Sequence, residues 1–316
     1  MTLGRGNRLP ESQAAPGVAT RLPTNWAAVG FLLVLVFAWG GNYTWVKMAL
    51  DDIGPWSFNA MRYLGAALLL GTIFVVSGRG RILLPIPGER LALAFIGLLQ
   101  VALMTGFTTL ALVFTEASRV VLIAYSVPVW ALLWSLVLLG EKLTRIAALG
   151  AALGIGGLAL LAPPDALSWD AATLSGIILA LLGTQAWAIG AVLYRQRRWR
   201  TPFWSQIFWQ VGVAAVAMVP AALFVEGFGA WRDTTTLRVI VLYNVVVPTA
   251  LGFWCWAQAL SRVPAATASQ VLVLSPIFGM VQSHFVLGEA LNESIWAAAA
   301  AVSLGALLVL RGGRPA

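Results

Sequence analysis

Charged side chains are scarce in this sequence, which excludes an ordinary soluble domain. Only 10% of the 316 residues are Asp, Glu, Lys or Arg, and 60% are hydrophobic; roughly a quarter of residues are charged in soluble domains. There is one cysteine, Cys255, and one histidine, His284. A lone cysteine excludes an internal disulfide and a cysteine metal cluster. We therefore predict no metal site and no cofactor.

The basic excess does not indicate a nucleic-acid partner. The formal net charge is +8, but the Lys and Arg residues lie in short segments between apolar runs. Such residues orient a chain in a membrane. The predicted partners are therefore the lipid bilayer and a small solute, with no nucleic acid; the oligomeric state is not readable from the sequence.

Ten segments lack Asp, Glu, Lys and Arg altogether, and these are residues 26–46, 63–78, 91–115, 120–140, 146–164, 171–194, 201–225, 239–261, 263–288 and 294–310. A hydrocarbon core of roughly 30 Å requires about 20 helical residues. The second segment reaches that length if it begins near Trp56 and includes Arg62. Because backbone groups in lipid must be paired within the segment, the sequence predicts an all-α polytopic membrane protein with ten transmembrane helices.

The distribution of basic residues predicts the orientation of these helices. With ten spans, one side receives fifteen Lys and Arg residues and the other receives four, while Arg62 lies within a span. The positive-inside rule places the fifteen in the cytoplasm. Both the N-terminal tail, residues 1–25, and the C-terminal tail, residues 311–316, are then cytoplasmic.

The chain resembles itself at an offset of 148 residues. This offset pairs uncommon residues, namely Trp39 with Trp187, Pro128 with Pro276, and Gly140-Glu141 with Gly288-Glu289. The two copies are residues 26–162 and 174–310, joined by an external linker at 163–173. Each copy holds five spans, an odd number, so the sequence predicts two inverted repeats with a solute site between them near the midplane.

Short motifs in both copies resemble those of a known family. They are Trp39-Gly40-x-Asn42, Lys47, Arg62-Tyr63-Leu64, Ala111-Leu112, Ala117-Ser118, Pro128 and Gly140-Glu141, with Ala259-Leu260, Ala265, Pro276 and Gly288-Glu289 in the second copy. This pattern is similar to the EamA domain of the ten-helix drug/metabolite transporter superfamily. The tryptophan content further resembles YddG-like amino-acid exporters. The resemblance implies efflux of small metabolites, often amino acids, across a bacterial inner membrane.

The candidate solute site combines uncharged polar and aromatic residues within the spans. The predicted substrate-binding residues are Trp39, Asn42, Arg62, Gln100, Tyr125, Trp187, Trp254, Gln270 and Ser275. Pro128 and Pro276 are predicted hinges, because an interior proline removes a backbone hydrogen bond and kinks a helix. Packed kinks, and tryptophans packed between helices, are the alternative interpretations.

Three charged residues leave two interpretations open. Arg62 either binds a substrate carboxylate or extends along the helix towards the membrane surface. Glu141 and Glu289 either cap the starts of the fifth and tenth helices or take part in proton coupling, and their position at the membrane edge favours capping.

The predicted function is secondary transport of small amphipathic metabolites, most often amino acids including aromatic ones, outward by alternating access. Multidrug efflux is the alternative among carriers. A polytopic membrane enzyme is disfavoured, because the sequence shows no nucleophile–base pair, metal cluster or paired acids, and a membrane scaffold is disfavoured because no large extramembrane segment is present.

Overall fold

The computed structural model describes residues 25–161, 170–227 and 229–312. The N-terminal tail and most of the predicted linker lie outside these ranges. Within them the chain forms ten apolar helical segments, which are α1 (Trp26–Ala49), α2 (Pro55–Val76), α3 (Pro87–Phe114), α4 (Ala117–Leu139), α5 (Arg145–Ala159), α6 (Ala171–Arg195), α7 (Phe203–Glu226), α8 (Thr235–Leu260), α9 (Thr267–Leu287) and α10 (Glu293–Gly312). Nine are long and apolar enough to cross a membrane, and α5 is a shorter apolar helix. The predicted all-helical polytopic fold is confirmed.

Local sequence signals explain where several helices begin and end. Side-chain oxygens of Asn25, Thr144 and Thr234 accept hydrogen bonds from the first turns of α1, α5 and α8, as expected of N-cap residues. Asp170 caps α6 in the same way, so α6 begins at Ala171, inside the segment predicted as linker.

Two glycines end the equivalent helices α4 and α9. Gly140 and Gly288 have φ angles of 65° and 71°, the left-handed conformation that glycine adopts without steric cost. Both glycines precede a glutamate, so the Gly-Glu pairs found in the sequence mark helix ends rather than helix starts.

The offset found in the sequence recurs in the helix boundaries. Helices α2 and α7 begin at Pro55 and Phe203, α3 and α8 at Pro87 and Thr235, and α5 and α10 at Arg145 and Glu293. Each pair is separated by the same 148 positions that relate Pro128 to Pro276. The two halves therefore share the same order of helices, and three of the five equivalent pairs begin at matching positions.

Contacts between turns define two ends of the helix bundle. At one end, called the basic end, the contacts are Glu89 with Thr201, Glu141 with Arg195 and Thr144 with Gly312. At the other, called the opposite end, they are Glu226 with Ser57, Arg232 with Asp52 and Glu289 with Ala117. Successive turns thus alternate between the ends, as ten spans require, and equivalent residues of the two copies lie at opposite ends.

Helices α5 and α10 cross at glycines. A Cβ on Gly150 would lie 2.8 Å from the carbonyl oxygen of Gly305, and a Cβ on Gly305 would lie 2.7 Å from that of Gly150. Such distances are shorter than van der Waals contact, so only glycine permits this approach. Small residues at crossings let helix backbones pack closely within lipid.

Candidate solute site

Helices α4 and α9 are interrupted at equivalent positions. Each consists of two shorter helices, and the second begins at Val127 in α4 and at Ser275 in α9. Pro128 and Pro276 lie in the first turn of these second helices, where the missing N–H needs no intrahelical partner. Each span is therefore broken where the sequence predicts a kink, and each proline lies at the start of a new helix rather than within a kinked one. Whether the breaks act as hinges remains a prediction.

Three other helices carry π-helical turns at the same depth. The turns are Val36–Gly40 in α1, Leu98–Leu103 in α3 and Val245–Leu251 in α8. The turns in α3 and α8 occupy equivalent positions of the two copies. Such turns leave backbone carbonyls without regular partners and are frequent at functional sites. Trp39 and Gln100, two predicted site residues, lie in them.

Trp39 connects α1 to the π-helical turn of α8. Its indole Nε1 donates a hydrogen bond of 2.8 Å to the carbonyl oxygen of Pro248. Its ring packs edge-on against Phe253, with centroids 6.0 Å apart, and near Trp256 at 6.2 Å. The indole N–H is thus satisfied by protein, which favours a packing role for Trp39 beside the site.

Arg62 points across the bundle to the same turn of α8. Pro248 has no N–H, so the carbonyl four residues earlier, on Asn244, loses its helical partner. The hydroxyl of Thr249 donates to that carbonyl at 2.8 Å, and its lone pairs accept from Nε of Arg62 at 3.3 Å. Thr249 is almost fully buried. The alternative in which Arg62 extends to the membrane surface does not match this contact.

Tyrosine side chains lie near the Arg62 guanidinium. Its central carbon lies 5.1 Å from the ring centroid of Tyr63, and Tyr43 and Tyr243 lie within electrostatic range. Tyr43 also lies near Tyr125, which occupies the break in α4. Four of the five tyrosines of the chain therefore lie in one connected cluster, here called the Arg62 cluster. None of the ion pairs formed within residues 25–161, 170–227 and 229–312 involves Arg62.

The π-helical turn of α1 crosses α9 at its break. A Cβ on Gly40 would overlap the carbonyl of Ser275, and a Cβ on Gly279 would overlap that of Gly40. The hydroxyl of Ser275 is buried and lies close to Tyr125 without hydrogen-bond geometry. Oδ1 of Asn42 is likewise buried with no protein hydrogen-bond partner in the described ranges. Buried polar atoms without a partner are uncommon in proteins, and each requires an explanation such as an ordered water or a bound group.

The remaining predicted residues lie at different places. Gln100 packs against Gly190 of α6, at a close helix crossing, and Trp187 lies half-buried on the same helix. Gln270 is half-buried in the first half of α9. Trp254 is 41% exposed and packs edge-on against Phe31. The structure thus brings Asn42, Arg62, Tyr125 and Ser275 towards the crossing of α1, α2, α4, α8 and α9, whereas Trp254 lies on the outer side.

The two glutamates of the repeat behave differently from each other and from the capping prediction. Glu289 accepts hydrogen bonds from the N–H groups of Ala117 and Ser118, at 2.6 and 2.9 Å, and so caps α4 rather than α10. Its counterpart Glu141 forms an ion pair with Arg195 at 2.8 Å. Capping of α5 and α10 by these residues is therefore wrong. Thr144 caps α5, and Asn292 accepts from the first turn of α10.

The surroundings of Glu141 keep it ionised. Partial burial raises its pKa, but the nearby Ser135 hydroxyl, the hydrogen bond from Arg195 and the charge of Arg195 together outweigh burial, so the pKa lies below its usual value. His284, the single histidine, donates from Nδ1 to the carbonyl of Glu289 at 2.7 Å. His284 is therefore a hydrogen-bonding group at the end of α9.

Sequence reasoning missed three tyrosines of the Arg62 cluster and the threonine that contacts Arg62. Tyr43, Tyr63 and Tyr243 are spread over three helices, and their convergence depends on the packing of α1, α2 and α8. Thr249 was missed as well, although Pro248 in the middle of an apolar run followed by a hydroxyl is a readable signal of a helix irregularity.

Comparisons with known proteins agree with this architecture. The EamA-like transporter family matches the chain twice, at residues 26–162 and 174–311. The chain is 25% identical to "Uncharacterized transporter YoaV" of Bacillus subtilis over 285 residues, covering 89% of this chain and 93% of the relative. It is 25% identical to "Uncharacterized inner membrane transporter YedA" of Escherichia coli K12 over 293 residues, covering 90% of each.

Relatives are not confined to bacteria. "WAT1-related protein At3g02690, chloroplastic" of Arabidopsis thaliana is 26% identical over 291 residues, covering 87% of this chain and 67% of the relative. A chain in a solved crystal structure shares the fold with a TM-score of 0.64 at 16% identity, covering 90% of this chain and 96% of that one. The protein is a multi-pass membrane transporter and belongs to the EamA-like transporter family.

Proposed function

We propose that this transporter exports small amphipathic metabolites, chiefly amino acids including aromatic ones, across the inner membrane by alternating access. The observation that carries the proposal is the Arg62 guanidinium. It lies within a membrane-spanning helix and bonds to a neutral hydroxyl, and none of the acids in the described ranges neutralises it. A charge within a span is costly and by default marks a path for a solute or ion.

The surroundings of Arg62 fit an aromatic carboxylate. A guanidinium binds a carboxylate through two parallel hydrogen bonds, and the Thr249 contact uses Nε only. The nearby rings of Tyr43, Tyr63 and Tyr243 offer apolar faces for a side chain and hydroxyls for an ammonium group. A cationic drug without a carboxylate would meet a like charge here, which disfavours multidrug efflux.

Counterflow in proteoliposomes tests the substrate class. Vesicles preloaded with unlabelled phenylalanine should accumulate labelled phenylalanine, and phenylpropionate should compete because it keeps the carboxylate. Phenethylamine, which lacks the carboxylate, should not compete. Arg62→Gln should lower uptake by about 10- to 100-fold, the loss of a charge-assisted bond of about 1.5–3 kcal/mol.

A matched arginine serves as the control. Arg238 lies at the opposite end and pairs with Asp233, so Arg238→Gln should leave counterflow within about twofold, as expected of an exposed ion pair. Equal inhibition by phenethylamine and phenylpropionate, or full activity of a folded Arg62→Gln variant, would contradict the proposal.

A further inference from the structure

Equivalent charged residues make different contacts at the two ends of the bundle. At the opposite end, the corner between α3 and α4 is held on both sides. Lys47 donates from Nζ to the carbonyl oxygens of Leu112 and Thr115, at 3.0 and 2.6 Å, at the end of α3. Glu289 accepts from the first N–H groups of α4. One cation and one carboxylate thus clasp the corner, and Glu289 is only 7% exposed.

The same set of groups exists at the basic end but is not engaged. The offset of 148 residues relates Lys47 to Arg195 and Glu289 to Glu141. Their expected partners are the equivalent corner between α8 and α9, namely the carbonyls of Leu260 and Val263 and the N–H groups of residues 265 and 266. Arg195 and Glu141 instead pair with each other, with side chains 57% and 43% exposed.

The burial of the two corners follows this difference. In the first half of α4, residues 117–124, seven of the eight side chains are buried. In the equivalent half of α9, Ala268 is the one buried side chain among the described residues 267–272. The corner that Lys47 and Glu289 hold, between α3 and α4, is therefore packed into the bundle. The equivalent corner between α8 and α9 is more exposed.

We infer that the two corners are the gates of the transporter. Lys47 and Glu289 hold the corner between α3 and α4 closed in one state, and Arg195 and Glu141 hold the corner between α8 and α9 closed in the other. This inference rests on the proposed alternating-access function. In the other state, Arg195 binds the carbonyls of Leu260 and Val263, and Glu141 caps α9 at residues 265 and 266. Lys47 and Glu289 then release α3 and α4 and pair with each other, as Arg195 and Glu141 do here.

Each of these charged side chains has two alternative partners that bind it with similar free energy. A carboxylate is stabilised either by a cation or by the free N–H groups and positive dipole of a helix start, and a cation either by a carboxylate or by the carbonyls at a helix end. Alternating access moves one inverted repeat against the other around a fixed site, so the corner that is held can pass from one repeat to the other. Lys47, Glu289, Arg195 and Glu141 are therefore positioning residues of the transport cycle.

Spin-label distances in lipid nanodiscs test the exchange, with Cys255→Ser as background. One label pair, Phe114→Cys with Leu291→Cys, spans the gate at the opposite end. The second pair, Arg262→Cys with Leu143→Cys, occupies the equivalent positions at the basic end. Each pair joins a gate corner to the turn that carries its glutamate, so the two distances report each gate separately.

Glu289→Gln should change both distances in opposite directions. The pair at the opposite end should lengthen and the pair at the basic end should shorten, with the ratio of the two states changing by about tenfold or more, since a hydrogen bond to a charged group is lost. Glu141→Gln should shift the ratio the other way. Glu226→Gln is the matched control, because Glu226 caps α2 at the same end but has glycine, Gly78, at its equivalent position.

A purely structural cap gives a different result. Lengthening at the opposite end in Glu289→Gln with an unchanged basic-end distance, or the same response from Glu226→Gln, would overturn the inference. The milder variant Lys47→Gln, which loses bonds to carbonyls but no helix cap, provides the test if Glu289→Gln does not fold. The spin-label distances are measured without substrate. If phenylalanine counterflow fails but the two distances still change in opposite directions, only the substrate proposal is contradicted.

Discussion

Substituting Gly279 by alanine tests the crossing of α1 and α9 beside the Arg62 cluster. The new Cβ would overlap the carbonyl oxygen of Gly40 and lie 3.0 Å from Cγ2 of Val121. A backbone carbonyl within a packed helix cannot move aside as a flexible side chain can. Overpacking of this kind costs about 1–3 kcal/mol, so we expect Gly279→Ala to separate the helices and to lower both stability and counterflow.

The buried Cys255 provides the assay. Its side chain is 1% exposed, so a thiol-reactive fluorophore reports unfolding during a temperature ramp in detergent. Gly212→Ala is the control, because nothing lies within 4 Å of the new Cβ and alanine favours a helix over glycine by about 1 kcal/mol. The reasoning is refuted if Gly279→Ala unfolds at or above the wild-type temperature, or if both variants lose the same stability.

Three further predictions concern the irregular turns of α8 and α9. Thr249→Val should destabilise the protein by about 1–3 kcal/mol, because the Asn244 carbonyl loses its donor; the same thermal assay checks this, and Thr249→Ser should restore stability. Trp39→Phe removes the hydrogen bond to the Pro248 carbonyl and should lower the free energy of unfolding by about 0.6–2 kcal/mol, measured as a lower unfolding temperature. An unchanged unfolding temperature would show that the indole hydrogen bond does not contribute to stability. Pro276→Ala should lower the maximal rate of counterflow and change the half-saturating concentration less, because the break in α9 is then free to become continuous helix. Equal changes in the rate and in the half-saturating concentration would exclude a hinge.

The sequence was sufficient for the all-helical fold and for the alternation of turns between two ends of the bundle. The side of the membrane that each end faces stays a prediction. The runs without charged residues coincide closely with α6, α7 and α10. The alternation of turns rich and poor in basic residues agrees with the two groups of contacting turns. These features follow from local physics, because the bilayer requires apolar helices of a given length. The repeat was visible because tryptophan, proline and Gly-Glu pairs are uncommon.

The site was only partly predictable. Arg62 was recognised from its position within a span, but its direction towards Thr249 depends on a π-helical turn that periodicity does not reveal. The roles of Glu141 and Glu289 were misjudged, because adjacency in sequence suggested capping of the next helix. Glu289 instead caps α4, 172 residues before it, a contact that only the packing of the two halves creates.

Sided labelling of one equivalent pair of residues tests the central claim, that the two halves are inverted copies, most directly. Leu84→Cys and Arg232→Cys, each in the Cys255→Ser background, place single thiols at equivalent exposed positions. A membrane-impermeant maleimide added to intact cells should label position 232 and leave position 84 unlabelled, and inverted vesicles should reverse the result. Labelling of both positions from the same side would contradict the inverted repeat.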